Sequence, residues 1–299
     1  MKVRDMRLRR HGVVAIAVLG LMASAVVPAS AERGGGGGGG LVGNAKAAAF
    51  ALDVDVAVLG ALPLDVGPLA RLRLSGDAGP RFANVAKVQV PPLIEALVLA
   101  TGAQTKITHG VYSKASARVA TVKLKLLGEL LIKLIKSECE VSSDSVNVAS
   151  DIVFADGSVL NGLVGVDMLG LAARPNSRVS VPLVGDLILN EQKIEKNSSA
   201  HGSQVTVTVN ALHLALDGIL GKGDITIAQS MCRAGGKNVG KDLRIVSTTN
   251  GNDTSNQVHE GDGNGDGAGL LGGLLGGGDD GGVLGVNHLL GGGLLNGVL

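Results

Sequence analysis

Aromatic side chains are scarce in this sequence. Its 299 residues include three Phe, one Tyr and no Trp. Single-stranded nucleic acids are held by stacking on aromatic rings, and sugars often are too, so this scarcity disfavours both binding classes.

The sequence also lacks an excess of positive or negative charge. The 27 basic and 26 acidic residues leave a formal charge of +1, which gives no global field to attract nucleic acid or an anionic membrane.

Motifs for catalysis are also missing. The sequence has no HExxH, no G-x-S-x-G and no Cys/His cluster with metal-ligand spacing. Gly235 to Asp242 matches a phosphate loop except that Asp242 replaces the Ser or Thr that would bind Mg²⁺. Because Leu243 to Ser247 is predicted to be a strand, no helix N-terminus would meet the phosphate. We therefore expect no catalytic residue, no cofactor and no enzymatic activity.

Half of a calcium loop lies near the end of the chain. Asp262, Asn264 and Asp266 offer oxygens at alternate positions, and Gly267 follows them. The twelfth position is Gly273, so the bidentate carboxylate is missing. These three residues form only a weak calcium candidate, and a solvated acidic linker is the preferred interpretation.

The first residues resemble an export signal. A basic start precedes the apolar run Gly12 to Val27, and Ala29-Ser30-Ala31 has the small-x-small form of a cleavage site. The run is shorter than the ~20 residues that a membrane span needs, which disfavours a retained anchor. We predict a signal peptide over residues 1–31, cleaved after Ala31. The pair Arg9-Arg10 leaves both the general and the twin-arginine route open.

The chain has two cysteines, Cys139 and Cys232. Export would place both in an oxidising compartment, and each follows an apolar, strand-like run. We predict a disulfide between them, which would remove about 4–5 kcal/mol of unfolded-state entropy because the closed loop is long. Two separate buried thiols are the alternative.

The clearest local pattern is Gln204 to Cys232. Apolar residues alternate with polar ones up to Asn210, and the alternation then changes phase at Leu212. A one-residue slip turns side chains to the opposite face, so a bulge or bend is expected near Asn210 and Ala211. Asp217 to Asp224 is predicted to be the turn. His213 is then expected on the polar face with Ala211 and Ala215, as a strand histidine bonded to its neighbours.

Several other short segments have the strand period of two. Polar, Gly or Pro residues separate them, which is typical of an all-β sandwich or barrel. We predict one β-sandwich-like domain over residues 46–249, with Leu62 to Pro68 as a loop. The further predicted strands are Ala47 to Leu59, Val85 to Val90, Ile94 to Ala100, Val146 to Ala155 and Val184 to Asn190.

Ser113 to Cys139 is ambiguous. Leu124, Leu127, Leu131 and Leu134 have helical spacing, so an amphipathic helix is one interpretation. The other is two strands joined at Leu127-Gly128-Glu129. The pattern alone does not decide between them.

Glycine-rich flanks surround this body. Residues 32–45 form a linker that contains seven consecutive glycines, Gly34 to Gly40. Residues 250–299 are of low complexity, first rich in Asn, Asp and Gly and then in Gly and Leu. Neither composition can offset the entropy of ordering, so both flanks are predicted to be disordered.

Several motifs resemble the choice-of-anchor P family. They are A-R-V-A-T-V-K-L-K-L-L-G-E with Ser137-Glu138-Cys139, then G-S-V-L-N-G from Gly157, R-P-N from Arg174, L-N-E-Q from Leu189 and V-T-V-N-A-L-H-L from Val207. The resemblance covers roughly Lys46 to Cys232. It implies an exported protein of Gram-positive bacteria with a variable C-terminal attachment device. It also favours strands over a helix in Ser113 to Cys139, and it favours pairing the two cysteines.

The end of the chain departs from that attachment device. The last residues, LLGGGLLNGVL, contain no LPxTG and no apolar span with a basic tail, so simple secretion is favoured. We expect a secreted or cell-surface structural or interaction module, with cell-wall or other surface components as partners. Nucleic acid is not an expected partner, and no membrane span is expected once the signal is removed. The alternative is an extracellular carrier of an apolar ligand, because strands rich in Leu and Val but poor in aromatics can leave a cavity.

Overall fold

A computed structural model of the chain describes residues 43–58, 63–91, 93–108, 110–127, 130–155, 168–172, 174–199, 202–218 and 221–259. These residues form two facing β-sheets. The strands are β1 (Asn44–Val58), β2 (Pro63–Leu69), β3 (Leu72–Ser75), β4 (Ala78–Val90), β5 (Ile94–Lys106), β6 (Tyr112–Leu124), β7 (Leu130–Val141), β8 (Ser145–Phe154), β9 (Ser177–Val181), β10 (Gly185–Ser199), β11 (Gly202–Gly218), β12 (Gly221–Gly236), β13 (Asp242–Thr249) and β14 (Asn252–His259). A 3₁₀ turn at Lys125–Leu127 and a short helix α1 (Met168–Ala172) complete the described elements.

Sheet 1 has seven strands and the path β2-β1-β12-β11-β10-β9, with β3 also paired to β1. The long antiparallel hairpin β11–β12 is paired up to Gly218 and Gly221. β1 lies against the other edge of β12 over its whole length. The expected strand–turn–strand is therefore at the centre of this sheet, and its connection is shorter than the predicted turn at Asp217 to Asp224.

Sheet 2 also has seven strands, in the order β14-β13-β8-β7-β6-β5-β4. β4 to β8 form an antiparallel meander, as short connections require. β13 joins parallel to β8, and β14 closes the edge. The chain thus passes from sheet 1 to sheet 2, returns for β9 to β12, and crosses again. This is the all-β, sandwich-like fold that the alternation predicts.

The predicted disulfide is present, and it joins the two sheets. Cys139 on β7 and Cys232 on β12 are both fully buried, and their Cα atoms are 5.9 Å apart. Facing sheets normally lie ~10 Å apart. Many inner side chains around the bond are accordingly small, which lets the backbones approach. They are Ala45, Ala47, Ala49, Ser113, Ala115, Ala117, Ser137, Ser230 and Ala234. On β8 and β11 the inner neighbours are larger, since Val148 pairs with Cys139 and Val207 pairs with Cys232.

The inner side chains become large towards the opposite end of the sandwich. On β1, Ala45 to Ala51 give way to Leu52, Val54 and Val56. β6, β7 and β12 show the same change from small to large residues along their length. The core is therefore thin at the disulfide. At the opposite end of the sandwich it is filled by Leu, Ile and Val.

Four neighbouring strands of sheet 1 change phase at the same level. Each has two consecutive buried residues there. The pairs are Ala51-Leu52, Leu189-Asn190, Ala211-Leu212 and Ile227-Ala228. Ala211 and Ala228 both drop out of the pairing between β11 and β12, and Asn190 and Ala228 have φ of 53° and 54°. The predicted irregularity near Asn210 and Ala211 is confirmed as one kink row across four strands.

Three local predictions are corrected by the structure. Leu62 to Pro68 is not a loop, because β2 spans Pro63–Leu69; its prolines are tolerated on an edge strand. Asn44 and Ala45, predicted as linker, begin β1. The body extends past residue 249, since β14 covers Asn252–His259. This polar segment lacks apolar alternation, but backbone pairing to β13 suffices for an edge strand.

Ser113 to Cys139 is β structure, as one of the two interpretations held. β6 and β7 are antiparallel, and Leu124 pairs with Leu130. The helical alternative is wrong, because the four leucines do not share a face. Leu124 and Leu127 are buried, whereas Leu131 is 39% exposed.

The disulfide should dominate stability. We expect Cys139→Ser to lower the free energy of unfolding by about 4–5 kcal/mol, because the closed loop spans 93 positions. Cys232→Ser should have the same effect, and the double variant should be no less stable than either single variant. Denaturant titration measures this. Thiol titration of the unreduced, denatured protein should find no free sulfhydryl, and two free thiols would contradict the bond.

The thin end of the core should reject larger side chains. Ala47 is buried directly beside Cys232 in the register, whereas its neighbour Ala48 faces outward. Ala47→Leu should destabilise the fold by about 1–3 kcal/mol through overpacking. The control Ala48→Leu makes the same change on the outer face and should be nearly neutral. Equal effects of the two substitutions in thermal unfolding would contradict the small spacing between the sheets.

Candidate functional site

A short stretch of β10 carries polar side chains to both faces of sheet 1. Asn190 and Gln192 are buried between the sheets, while Glu191 points outward. The polar clusters on the two faces are therefore built from consecutive residues. This stretch is part of the L-N-E-Q motif named above.

The inner cluster connects the two sheets. Ser150 on β8 donates a hydrogen bond of 2.6 Å to Oδ1 of Asn190. Ser247 on β13 donates one of 2.8 Å to Oε1 of Gln192. Asn190 Nδ2 donates to the carbonyl of Ala172 at the end of α1. Because both buried amides have partners, this cluster fixes the packing of the sheets and the position of α1.

The R-P-N turn docks on the same stretch. Asn176 has a φ of 54°, and its side-chain oxygen accepts the backbone N–H of Gln192 at 2.7 Å. Its own N–H donates to the carbonyl of Asn190 at 2.9 Å. Asn176 thereby continues the pairing of β10 beyond the end of β9, so two motifs distant in sequence are in direct contact.

The outer cluster is centred on His213 of β11. Its Nδ1 lies 3.1 Å from Oε2 of Glu191, and its Nε2 lies 2.8 Å from Oδ1 of Asp224 on β12. Asn210 donates to the same Glu191 oxygen at 2.6 Å, and Gln229 donates to Asn210 at 2.7 Å. Three neighbouring strands thus hold the imidazole between two carboxylates.

These contacts set the protonation of the cluster. The hydrogen bond to Glu191 is the largest cause that raises the pKa of His213 to about 9, against the effect of burial and with help from Asp224. The hydrogen bond from His213 in turn lowers the pKa of Glu191. The imidazole is therefore a cation at neutral pH and donates from both nitrogens.

A doubly protonated, doubly engaged imidazole is a poor general base, since neither nitrogen has a free lone pair. Thr226, the residue paired with His213 on β12, makes no hydrogen bond to the imidazole. Within the described residues, no group of three or more His, Cys, Asp or Glu side chains is arranged to hold a metal ion. The outer cluster is best explained as a charge network that ties β10, β11 and β12 together.

The structure places the sequence-predicted residues as follows. Cys139 and Cys232 are brought together. The calcium candidates Asp262, Asn264 and Asp266 lie outside the described residues.

The environment of His213 requires a correction. Ala211 was expected on the same face as His213, but it is fully buried, because the kink falls at Ala211 itself and leaves Ala211 and Leu212 both inside the core. The carboxylates of Glu191 and Asp224 were missed. Only the cross-strand register could have placed these carboxylates beside His213. That register depends on the positions of the kink and of the connection between β11 and β12.

Comparison with known proteins adds no relative. No protein-family model matches the chain, and neither a curated protein nor a solved structure matches it significantly. The resemblance to the choice-of-anchor P family therefore stays a prediction.

The outer cluster should make stability depend on pH. The folded-state pKa of His213 lies above its unfolded value, so its contribution is fully present below about pH 6.5 and is lost as the pH rises through about 9. After allowance for solvent screening on this half-buried group, the contribution is about 1–2 kcal/mol. At the acid end, the lowered pKa of Glu191 predicts a loss as that carboxylate becomes protonated.

His213→Gln separates this effect from other titrations, since glutamine keeps the polarity but does not ionise. The difference in unfolding free energy between the parent and this variant should shrink between pH 6.5 and pH 10. Urea titrations across that range measure it. A difference that stays constant with pH would show that the imidazole is not charged in the fold.

Proposed function

We propose that the protein is an exported, non-catalytic structural or interaction module that acts outside the membrane. The observation that carries the proposal is the fully buried bond between Cys139 and Cys232. Such bonds are typical of secreted and cell-surface proteins. The predicted signal peptide over residues 1–31 points in the same direction.

The bond supports this proposal through its position. It joins the two sheets at the point where the inner side chains are smallest, so the apolar burial per residue is low there. A fold that depends on a covalent bond at its thinnest point suits an oxidising compartment. In a reducing one, it would lose this support.

The outer face of sheet 2 suits a solvated surface. Lys114 lies 2.6 Å from Glu138 and 3.2 Å from Glu140. Lys136 lies 3.3 Å from the same Glu138 and 3.9 Å from Asp151. Burial opposes the ionisation of Glu138, but the two lysines together lower its pKa. The partners we propose are cell-wall or other surface components.

The described helices were also compared with the length and apolar character that a membrane span requires. Among the described residues, no helix has the length and apolar character to cross a membrane.

A carrier of apolar ligands remains the second candidate. The observation that favours it is a groove of about 410 Å³ lined by Leu134, Asp151, Ile152, Val153, Phe154 and Asn250. Ligand pockets of this size usually enclose 70–90% of the ligand surface. This groove is open to solvent, so we prefer the interaction module.

Fractionation of the producing cells tests the proposed location. The mature chain should be found outside the membrane, cleaved after Ala31 by mass spectrometry, with both cysteines unreactive to a thiol reagent. The matched control is a chain without residues 2–31, which should stay inside with reactive thiols. A second variant without residues 260–299 asks whether the tail holds the protein at the surface. Uncleaved full-length protein in the cytosol would contradict the proposal.

A further inference from the structure

The outer face of sheet 1 is polarised in charge along β1. Lys46 points outward near the start of the strand, Phe50 near the middle, and Asp53 and Asp55 near the end. All four side chains are at least partly exposed. One strand thus presents a cation and two carboxylates on the same face, separated by an aromatic ring.

Neighbouring strands reinforce both ends. Arg73 on β3 pairs in register with Ala48, next to Lys46. Asp65 on β2 and Asp224 on β12 both pair with Asp55, one on each side. The pKa of Asp53 is raised, first by burial and then by repulsion from Asp65 and Asp55. Asp224 is paired with His213, so the uncompensated negative charge at this end lies on Asp53, Asp55 and Asp65.

The charges at the two ends have no partner within the sheet. In the described part of the chain, no ion pair involves Lys46, Arg73, Asp53, Asp55 or Asp65. The outer face of sheet 2 differs, because its lysines and glutamates pair with one another. An unsatisfied, two-signed pattern on only one of the two faces indicates a surface that complements something else.

The spacing of these charges is nearly symmetric about Phe50. Lys46 lies four positions before it, and Asp53 and Asp55 lie three and five positions after it. A two-fold axis that lies between the two faces at Phe50, parallel to the sheet and perpendicular to β1, would place Lys46 of each copy over the aspartates of the other. In such an isologous interface each contact occurs twice. A purely cationic or purely anionic partner would instead be repelled by one end of the face.

We propose that a second copy of this chain docks on the outer face of sheet 1, with the two β1 strands antiparallel and the Phe50 rings at the two-fold axis. This goes beyond the proposed function, because it names the face and the partner and does not depend on where the protein is located. Lys46 and Arg73 of one copy then pair with Asp53, Asp55 and Asp65 of the other.

The face is large enough for a stable pair. From Lys46 to Asp55 across five strands it measures about 34 Å by 24 Å, or about 800 Å² per copy, from standard strand rise and spacing. Specific interfaces bury about 800 Å² per partner. On β1, β11 and β12 the outward side chains between the charged ends are neutral. They are Ala48, Phe50, Thr208, Asn210, Gln229 and Met231. On β10 the outward side chains there are charged but already paired, Glu191 with His213 and Lys193 with Glu195.

Sedimentation equilibrium of the full-length chain provides the first test. Dimers should form at about 0.01 M salt, where the Debye length is about 30 Å, and dissociate at about 1 M salt, where it is about 3 Å. A protein that remains monomeric at low salt up to about 100 µM, where complexes of even modest affinity form, would overturn the proposal.

Two charge-reversed variants give a sharper test. The acid-end variant carries Asp55→Lys and Asp65→Lys, and the basic-end variant carries Lys46→Glu and Arg73→Glu. Each alone places like charges over like charges and should weaken self-association at least tenfold. A mixture of the two should form a 1:1 heterodimer, because each contact is then again between opposite charges.

Lys106→Glu with Lys133→Glu is the matched control, since it changes the net charge as the basic-end variant does but at exposed positions of sheet 2. This control should dimerise like the parent, and circular dichroism should show that all variants are folded. If the mixture does not restore the dimer, or if the sheet 2 control dissociates as readily, this face is not the interface.

Discussion

The bond between Cys139 and Cys232 constrains the rest of the structure, because it brings two sheets to a Cα separation of 5.9 Å. Inner side chains near it on β1, β6 and β12 are Ala or Ser, and these contribute little hydrophobic stabilisation. The apolar residues needed for a stable core are therefore placed at the other end, where Leu52 and Ile132 are fully buried. The change from small to large residues along β1, β6, β7 and β12 is consistent with this one covalent contact.

The kink row in sheet 1 has a second consequence. Without it, the alternation set by Ala47, Ala49 and Ala51 would continue inward through Asp53 and Asp55. On β11 the same alternation would bury His213. The kink turns these polar side chains to the outer face while Leu52 and Leu212 enter the core. The charged surface and the His213 cluster therefore depend on the same local change of backbone phase.

The sequence predicts those features that depend on local period. The all-β class, the strand from Val205 and the phase change near Asn210 follow from alternation alone. The disulfide follows from the predicted export to an oxidising compartment and from the presence of only two cysteines. The contacts of Glu191 and Asp224 with His213 do not, because they require the register of β10 and β12 against β11. Edge strands such as Asn252–His259 are also not predicted, because backbone pairing holds them without an apolar pattern in the sequence. The change in residue size along β1 is visible in the sequence, but its cause appears only once the partner of Cys232 is known.

The two outer faces differ in a way that follows from their internal pairing. On sheet 2, lysines and glutamates alternate between directly paired strands, so Lys114 and Glu138 neutralise each other. Sheet 1 has opposite-charge pairs too, such as Lys193 with Glu195, but on β1 and β2 Asp55 lies directly opposite Asp65. Like charges directly opposite destabilise a sheet, so this arrangement costs stability in an isolated copy. The proposed second copy, which supplies opposite charges, would remove that cost.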